Sequence, residues 1–222
     1  MTSSPKPVLP PRTTSSSASR SFAEICTYLS RLELGQIARE GAEAAPTEER
    51  FEGTVLFVDV SGFTPITESL AKQGPRGAEI LSEILSDYYG SLTGLVERSG
   101  GDVLFFAGDA AVALFRAAGD AHDDAARSAV ACGLEIRRTL DRFTIRAAPG
   151  LELSLRAMVG TGALSALRLG VGPRLTLVTG APFRQIARMS GLTPERGVVV
   201  SPEAHSLVAR EATYVDWMVR SR

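Results

Sequence analysis

In the stretch VLFVDVSGFTPITE, residues 55–68, a single carboxylate, Asp59, sits in a run of Val, Leu and Phe, and Ser61-Gly62-Phe63-Thr64-Pro65 follows at once. Period-two alternation puts Val55, Phe57 and Asp59 on one strand face and Leu56, Val58 and Val60 on the other. Both faces are apolar, which predicts a central strand. An ionised carboxylate at its end costs on the order of several kcal/mol unless a cation or strong donors compensate it. Two readings fit these residues alone: Asp59 caps the next turn through its side chain, or it holds a cation. Thr64 suits an N-cap and Pro65 the first helical position, so a helix is predicted to start there with its free N–H groups facing the strand end. Such a start attracts anions, and Gly62 lets a phosphate approach the backbone.

Asp109 is the natural second acid. In VLFFAGDAAVALF the chain is predicted to turn on Gly108-Asp109 as a tight hairpin. Gly-Asp turns are common, so a plain turn residue is the competing reading. If the hairpin pairs beside the first strand, its turn comes close to Asp59. Two carboxylates brought together repel unless a cation lies between them. Mg²⁺ typically takes one or two protein carboxylates and completes its shell with phosphate oxygens and water. The chemistry suggested is that of a metal with a triphosphate.

The elements that must position these acids are legible in outline. The chain has 222 residues, 44% apolar and 22% charged, enough for one sizeable core with some extra length. A net charge of -1 argues against bulk attraction to nucleic acid or an anionic membrane. No apolar run approaches the ~18 residues of a membrane span, because Asp59, Asp109 and Arg116 interrupt the best candidates. Cys26 and Cys132 read as small buried hydrophobes on helical faces, which fits a reducing, cytoplasmic setting. Apart from Lys6 and Lys72 every basic residue is an arginine or histidine, and the chain contains no asparagine.

Residues 1–21 are rich in Ser, Thr and Pro and are expected to form a disordered tail. Phe22, Ile25, Leu29 and Leu32 fall at helical spacing, so residues 22–50 are read as an amphipathic helix followed by a linker from 35. Residues 51–222 form the expected catalytic domain, incomplete at its C-terminus. Within it the patterns predict a strand at 53–60 and a helix over 65–98, broken near Gly74-Pro75. A hairpin at 102–115, a helix at 120–140, and strands in LSLRAMVGTG and RLTLVTG come next. A helix at 181–190, a strand at 197–200 and a helix at 202–209 follow. This order is the split βαβ of an α+β, ferredoxin-like domain, an antiparallel sheet with helices packed on one face.

The blocks FVDVSGFTPITE and SGGDVLFFAGDAAVALF resemble the two signature blocks of class III nucleotidyl cyclases. The likeness, over about residues 51–210, is greatest to the first, metal-donating domain of the bicarbonate-responsive soluble adenylyl cyclases. It implies that Asp59 and Asp109 hold two Mg²⁺ ions, with Mn²⁺ or Ca²⁺ as alternatives, and that Val60 adds its carbonyl. It also implies that the backbone of Gly62, Phe63 and Thr64 binds the triphosphate and that Arg156 is directed at the terminal phosphates. Arg188, in PFRQIARM, matches an arginine that steadies the transition state across a two-domain site.

Other partner-side positions depart from the family. Phe105 stands where a base-recognising lysine is expected, Leu177 where an aspartate is, and Arg184 where an asparagine is. The expectation is therefore a nucleotidyl cyclase half-site. It would take a nucleoside triphosphate, by resemblance ATP, and work with a second cyclase domain. The alternative is a cyclase-like regulatory or dimerisation module without turnover. Ser99-Gly100-Gly101-Asp102 also resembles the turn of diguanylate cyclases, but reads more simply as a helix stopped by two glycines. His122, among first-turn acids, and His205, in a late helix, suggest no site.

Overall fold

The computed structural model describes residues 29–41, 45–119, 121–140, 153–170, 175–191 and 197–209. Six strands form one sheet: β1 (Thr47–Ser61), β2 (Asp102–Ala107), β3 (Ala110–Arg116), β4 (Ser154–Leu169), β5 (Leu175–Gly180) and β6 (Gly197–Val200). Their order is β2-β3-β1-β4-β5, antiparallel throughout, and β6 adds to β4 in parallel. The helices are α1 (Arg31–Glu40), α2 (Phe63–Ala71), α3 (Pro75–Arg98), α4 (His122–Leu140), α5 (Ala181–Ser190) and α6 (Pro202–Val208). This is the split βαβ order that the sequence predicts.

As the two apolar faces of β1 require, the sheet is covered on both sides. Leu56, Val58 and Val60 point into a core with Tyr88 and Leu92 of α3 and Ile136 of α4. Val55 points the other way, into a second core with Val112, Leu114, Met158, Ile186 and Met189. The expectation of helices on one face is thus too simple: α5 and α1 close the second. The cause is α5's own pattern, in which Pro182, Ile186 and Met189 fall on one buried side.

Residues 35–41 and 47–50 also differ from the expected linker. Helix α1 continues through Gly35 to Glu40, and β1 begins at Thr47. A glycine inside a helix costs about 1 kcal/mol. Ser30 and Glu33 offset it by forming a capping box, and the Asp102 carboxylate accepts bonds from the N–H groups of Arg31 and Leu32, each at 2.9 Å. Leu32 is buried in the second core. The early, polar part of β1 is held by its backbone, paired continuously from Thr47↔Arg168. Phe22, Ile25, Cys26 and the 1–21 tail lie outside the described residues.

Glu49 of β1 ties the two outer pieces together, bonding Arg116 and, at 2.8 Å, Arg39. Burial pushes its carboxyl up, but the bond and charge of Arg116 and the charge of Arg39 outweigh that and hold it below its ordinary value of 4.5. The unfolded chain therefore takes up this proton first as pH falls. The stabilisation is full above about 4.5 and is lost as pH drops through the lower folded value. Glu49→Gln is expected to melt below the parent at neutral pH and to lose less stability on acidification, as thermal melts across pH would show.

Candidate active site

Asp59 is the last residue of the Val55-Phe57-Asp59 stripe, on the side of the sheet that α5 covers. The register places it directly opposite Arg156 of β4. Nε and Nη2 of that arginine both reach Asp59 Oδ2 at 2.5 Å. The pair is half-buried, with side-chain exposures of 34% for Arg156 and 21% for Asp59. One step further along, Ser61 and Ser154 share a hydroxyl contact of 2.6 Å. Asp59 is thus an acid matched by a cation at the end of a central strand.

Asp109 lies in the exposed turn between β2 and β3. The last aligned pair of β1 and β3 is Val58↔Ala111. Two residues on, the same register carries Asp109 level with Val60, one strand spacing of roughly 5 Å away. Asp59, near the end of β1, and Asp109, in the turn that precedes β3, therefore stand at one end of the sheet. Val60 is buried on the α3 side, so only its main chain faces this end.

The turn into α2 lies beside them. Its N-cap is Gly62, not Thr64: at φ 106° and ψ -3° it is left-handed, a conformation that favours glycine, and no side chain caps the helix. The helix thus enters earlier than Pro65 suggests, and Pro65 sits harmlessly in a first turn whose N–H groups have no helical partner. Thr64 is exposed. The Phe63 ring is anchored on α3, 5.8 Å edge-on from Tyr88 and 6.2 Å stacked on Tyr89.

Tyr89 is the residue that sequence reasoning missed. Its ring also meets Phe106 of β2 edge-on at 5.1 Å, and its hydroxyl reaches the Asp109 carbonyl at 3.5 Å. It thereby links the α2 turn to the hairpin that carries Asp109. Burial first, and then the charge of Asp109, raise its phenol above the ordinary value of 10.0. The only available signal was the Tyr88-Tyr89 doublet, whose second ring points about 100° away from the core stripe. Tyr89→Ala is expected to cost about 2 kcal/mol in urea denaturation, and Tyr89→Phe under about 1 kcal/mol.

Arg188 is not brought to this cluster. It is exposed on α5, a helix docked by Gln185, whose amide bonds the N–H and C=O of Thr161, each at 2.9 Å. Arg156 lies five residues further along β4, roughly 17 Å by strand rise. Arg184 lines a cleft with Arg50, Phe51, Glu52 and Thr179. Phe51 is eight residues, or roughly 26 Å, from Asp59. Phe105 and Leu177 are exposed by 45% and 46% on the outer strands β2 and β5.

The donors at the strand end are hard oxygens: two carboxylates and main-chain carbonyls. Among the described residues no three His, Cys, Asp or Glu side chains gather as a metal cluster. That set fits a cation that keeps most of its positions for phosphate and water, and Arg156 already places a positive charge on Asp59. No helix among the described residues is long and apolar enough to cross a membrane.

No family model matches the chain. Adenylate cyclase type 10 of Oryctolagus cuniculus is 32% identical over 174 residues, covering 77% of this chain and 11% of that protein. The Homo sapiens protein is 31% identical over the same length. The chain thus spans about 11% of the length of these curated relatives. Among solved structures, the adenylyl cyclase CyaB from P. aeruginosa shares the fold at a TM-score of 0.64 and 22% identity, over 74% of this chain and 84% of that one. The guanylyl cyclase Cya2 aligns at a TM-score of 0.55 and 26% identity, over 72% and 79%.

Proposed function

The chain belongs to the class III nucleotidyl cyclases, and we propose that it supplies the metal-binding half of a cyclase site that a complementary domain completes. The substrate is a nucleoside triphosphate. ATP is favoured, because the curated relatives it matches are adenylate cyclases. The ribose 3′-hydroxyl gives up its proton to solvent as its oxygen attacks the α-phosphorus, the bond from that phosphorus to the α,β-bridging oxygen breaks, and pyrophosphate leaves as the 3′,5′-cyclic nucleotide forms. The setting is the cytoplasm.

The single observation that supports this reading is that Asp59, at the end of β1, and Asp109, in the β2–β3 turn, lie at the same end of the sheet, beside the uncapped start of α2. Asp59, Asp109 and the Val60 carbonyl would hold two Mg²⁺ ions, with Mn²⁺ or Ca²⁺ as substitutes, whose charge when bound favours the attacking oxygen and clamps the phosphates. The N–H groups of Gly62, Phe63 and Thr64 receive phosphate oxygens at the positive end of α2. Arg156 engages the terminal phosphates. Arg188, on the exposed side of α5, steadies charge at the site of the second domain, where a positioned arginine can contribute on the order of 10³-fold.

A second reading is favoured by Phe105 and Leu177, both exposed and both apolar where a base would be read. Two copies of this chain would then lack base recognition, and the domain would act as a regulatory or dimerising module. The test mixes this chain with a complementary-type cyclase domain, supplies ATP and Mg²⁺, and measures cyclic nucleotide and pyrophosphate in equal amounts. Absence of product together with absence of metal-dependent nucleotide binding would leave only the module.

A further inference from the structure

Helix α1 and the outer strands β2 and β3 border a cavity of about 270 Å³, lined by Arg31, Leu32, Arg39, Asp102, Leu114 and Arg116. Arg116 pairs with Gly53, six residues before Asp59, so roughly 20 Å of strand separate this cavity from the acids at the other end of the sheet. Leu32 and Leu114 are buried in the second core, whereas the three arginine side chains are exposed by 59%, 54% and 42%. The cavity thus has an apolar floor and a cationic rim.

The charges there do not balance. The two oxygens of Asp102 are taken by the N–H groups of Arg31 and Leu32, and Arg31 Nε stays 3.9 Å away. Glu49, outside the lining, accepts from Arg39 on one oxygen and from Arg116 on the other. Three arginines therefore face two acids, which leaves one positive charge in excess. The described hydrogen bonds engage one nitrogen of each guanidinium, that of Arg31 on the Gly101 carbonyl, so each fork keeps further donors. Leu32, Gln36 and Arg39 recur at i, i+4 and i+7 and share one helix face. Gln36 is 1% exposed and close enough to Glu49 to help keep that carboxyl ionised, yet neither end of its amide makes a hydrogen bond of ordinary geometry. A buried amide left so, beside surplus guanidinium donors, points to a polar ligand.

We propose that this cavity binds a small organic carboxylate, with its head on the arginines and its apolar body over Leu32 and Leu114. One negative charge balances the single excess, and the guanidinium fork matches two carboxylate oxygens. The apolar floor asks for a hydrocarbon body, which a bare inorganic anion lacks, and the volume suits a molecule of roughly ten heavy atoms. Arg31 and Arg39 come from α1 and Arg116 from β3, so the bound anion ties the helix to the sheet. Neither Asp59 nor a metal enters this site, and its test leaves the cyclase reading untouched.

The test titrates 4-fluorobenzoate into the full chain at low salt, where exposed charges are least screened, and reads binding from broadening of the fluorine resonance. A saturable site with Kd on the order of 1 mM is expected. Arg31→Gln and Arg39→Gln each weaken it roughly fivefold or more, and Arg138→Gln, exposed on α4, leaves it unchanged within about twofold. Benzyl alcohol has the body without the charge, and inorganic phosphate the charge without the body. Each competes at least about tenfold less well than benzoate on the parent. Arg31 and Arg39 are more than half exposed, so their variants should fold, as circular dichroism would show; if one does not, the competition series decides alone. No saturable binding up to about 20 mM, equal weakening by Arg138→Gln, or phosphate competing as well as benzoate overturns the proposal.

Discussion

Asp59→Asn, paired with a complementary domain, is expected to form cyclic nucleotide on the order of 10³-fold more slowly than the parent, the scale for removing one preorganised group that stabilises developing charge. The substitution keeps the shape of the side chain and removes its charge. The fold should notice little, because Asp59 closes the end of a strand whose apolar stripe is already buried and whose backbone is paired to β4 as far as Ser61↔Ser154. Arg156 loses its acid, but it is one-third exposed and can turn towards water. The expected result is therefore an inactive protein that melts within about 2 kcal/mol of the parent. Steady-state assays with Mg²⁺ and with Mn²⁺, alongside thermal melts, make the comparison. Parental rates in the variant would remove Asp59 from the chemistry altogether.

Gly160→Ala is expected to act further along the same face of the sheet and through packing alone. A Cβ at this position would lie 2.7 Å from the Pro182 carbonyl oxygen and 3.0 Å from Gln185 Oε1. Both are parts of α5, and Gln185 is the buried amide that docks the helix on Thr161. The helix has to move away from β4, loosening Ile186 and Met189 in the second core. A loss of about 2–3 kcal/mol follows, a fall in melting temperature of roughly 5–10 °C. On the proposed metal reading, Mn²⁺ binding at Asp59 should survive, whereas any contribution of Arg184 and Arg188 to a second domain's site should fall. Unchanged melting would show that α5 is held less closely than the packing of Gly160 implies.

How much of this was legible in the sequence depended on whether a signal was periodic or relational. The double apolar stripe of β1 showed a central strand, and the Gly108-Asp109 turn showed a hairpin. Together they implied that Asp59 and Asp109 stand at one end of the sheet. The extent of β1 before Phe51 was hidden, because Thr47 to Glu52 are mostly polar and are kept in the strand by backbone pairing and by ion pairs such as those of Glu49. The true start of α2 was hidden because Thr64-Pro65 is a stronger local signal than a left-handed glycine, and geometry overrode it. Helix α1 was misjudged beyond Gly35: its Ser30–Glu33 capping box stood in the sequence, but the added support of the Asp102 carboxylate, 71 residues from Arg31, did not. The Asp59–Arg156 pair and the reach of Tyr89 belong to the same class. Each joins residues that only the register and the third dimension bring together.

Strand β1 has consequences for how this region breathes. It is flanked on both sides, by β3 and β4, over the residues leading to Asp59. The amide hydrogens of its doubly paired part are therefore expected to exchange slowly with solvent, and Asp59 stands at the end of that firmly held strand. Asp109 is on a turn at the sheet's margin, joined to the body by the Tyr89 contacts. Local opening is cheaper there, so the gap between the two acids widens or narrows by excursions of the hairpin against a stationary anvil.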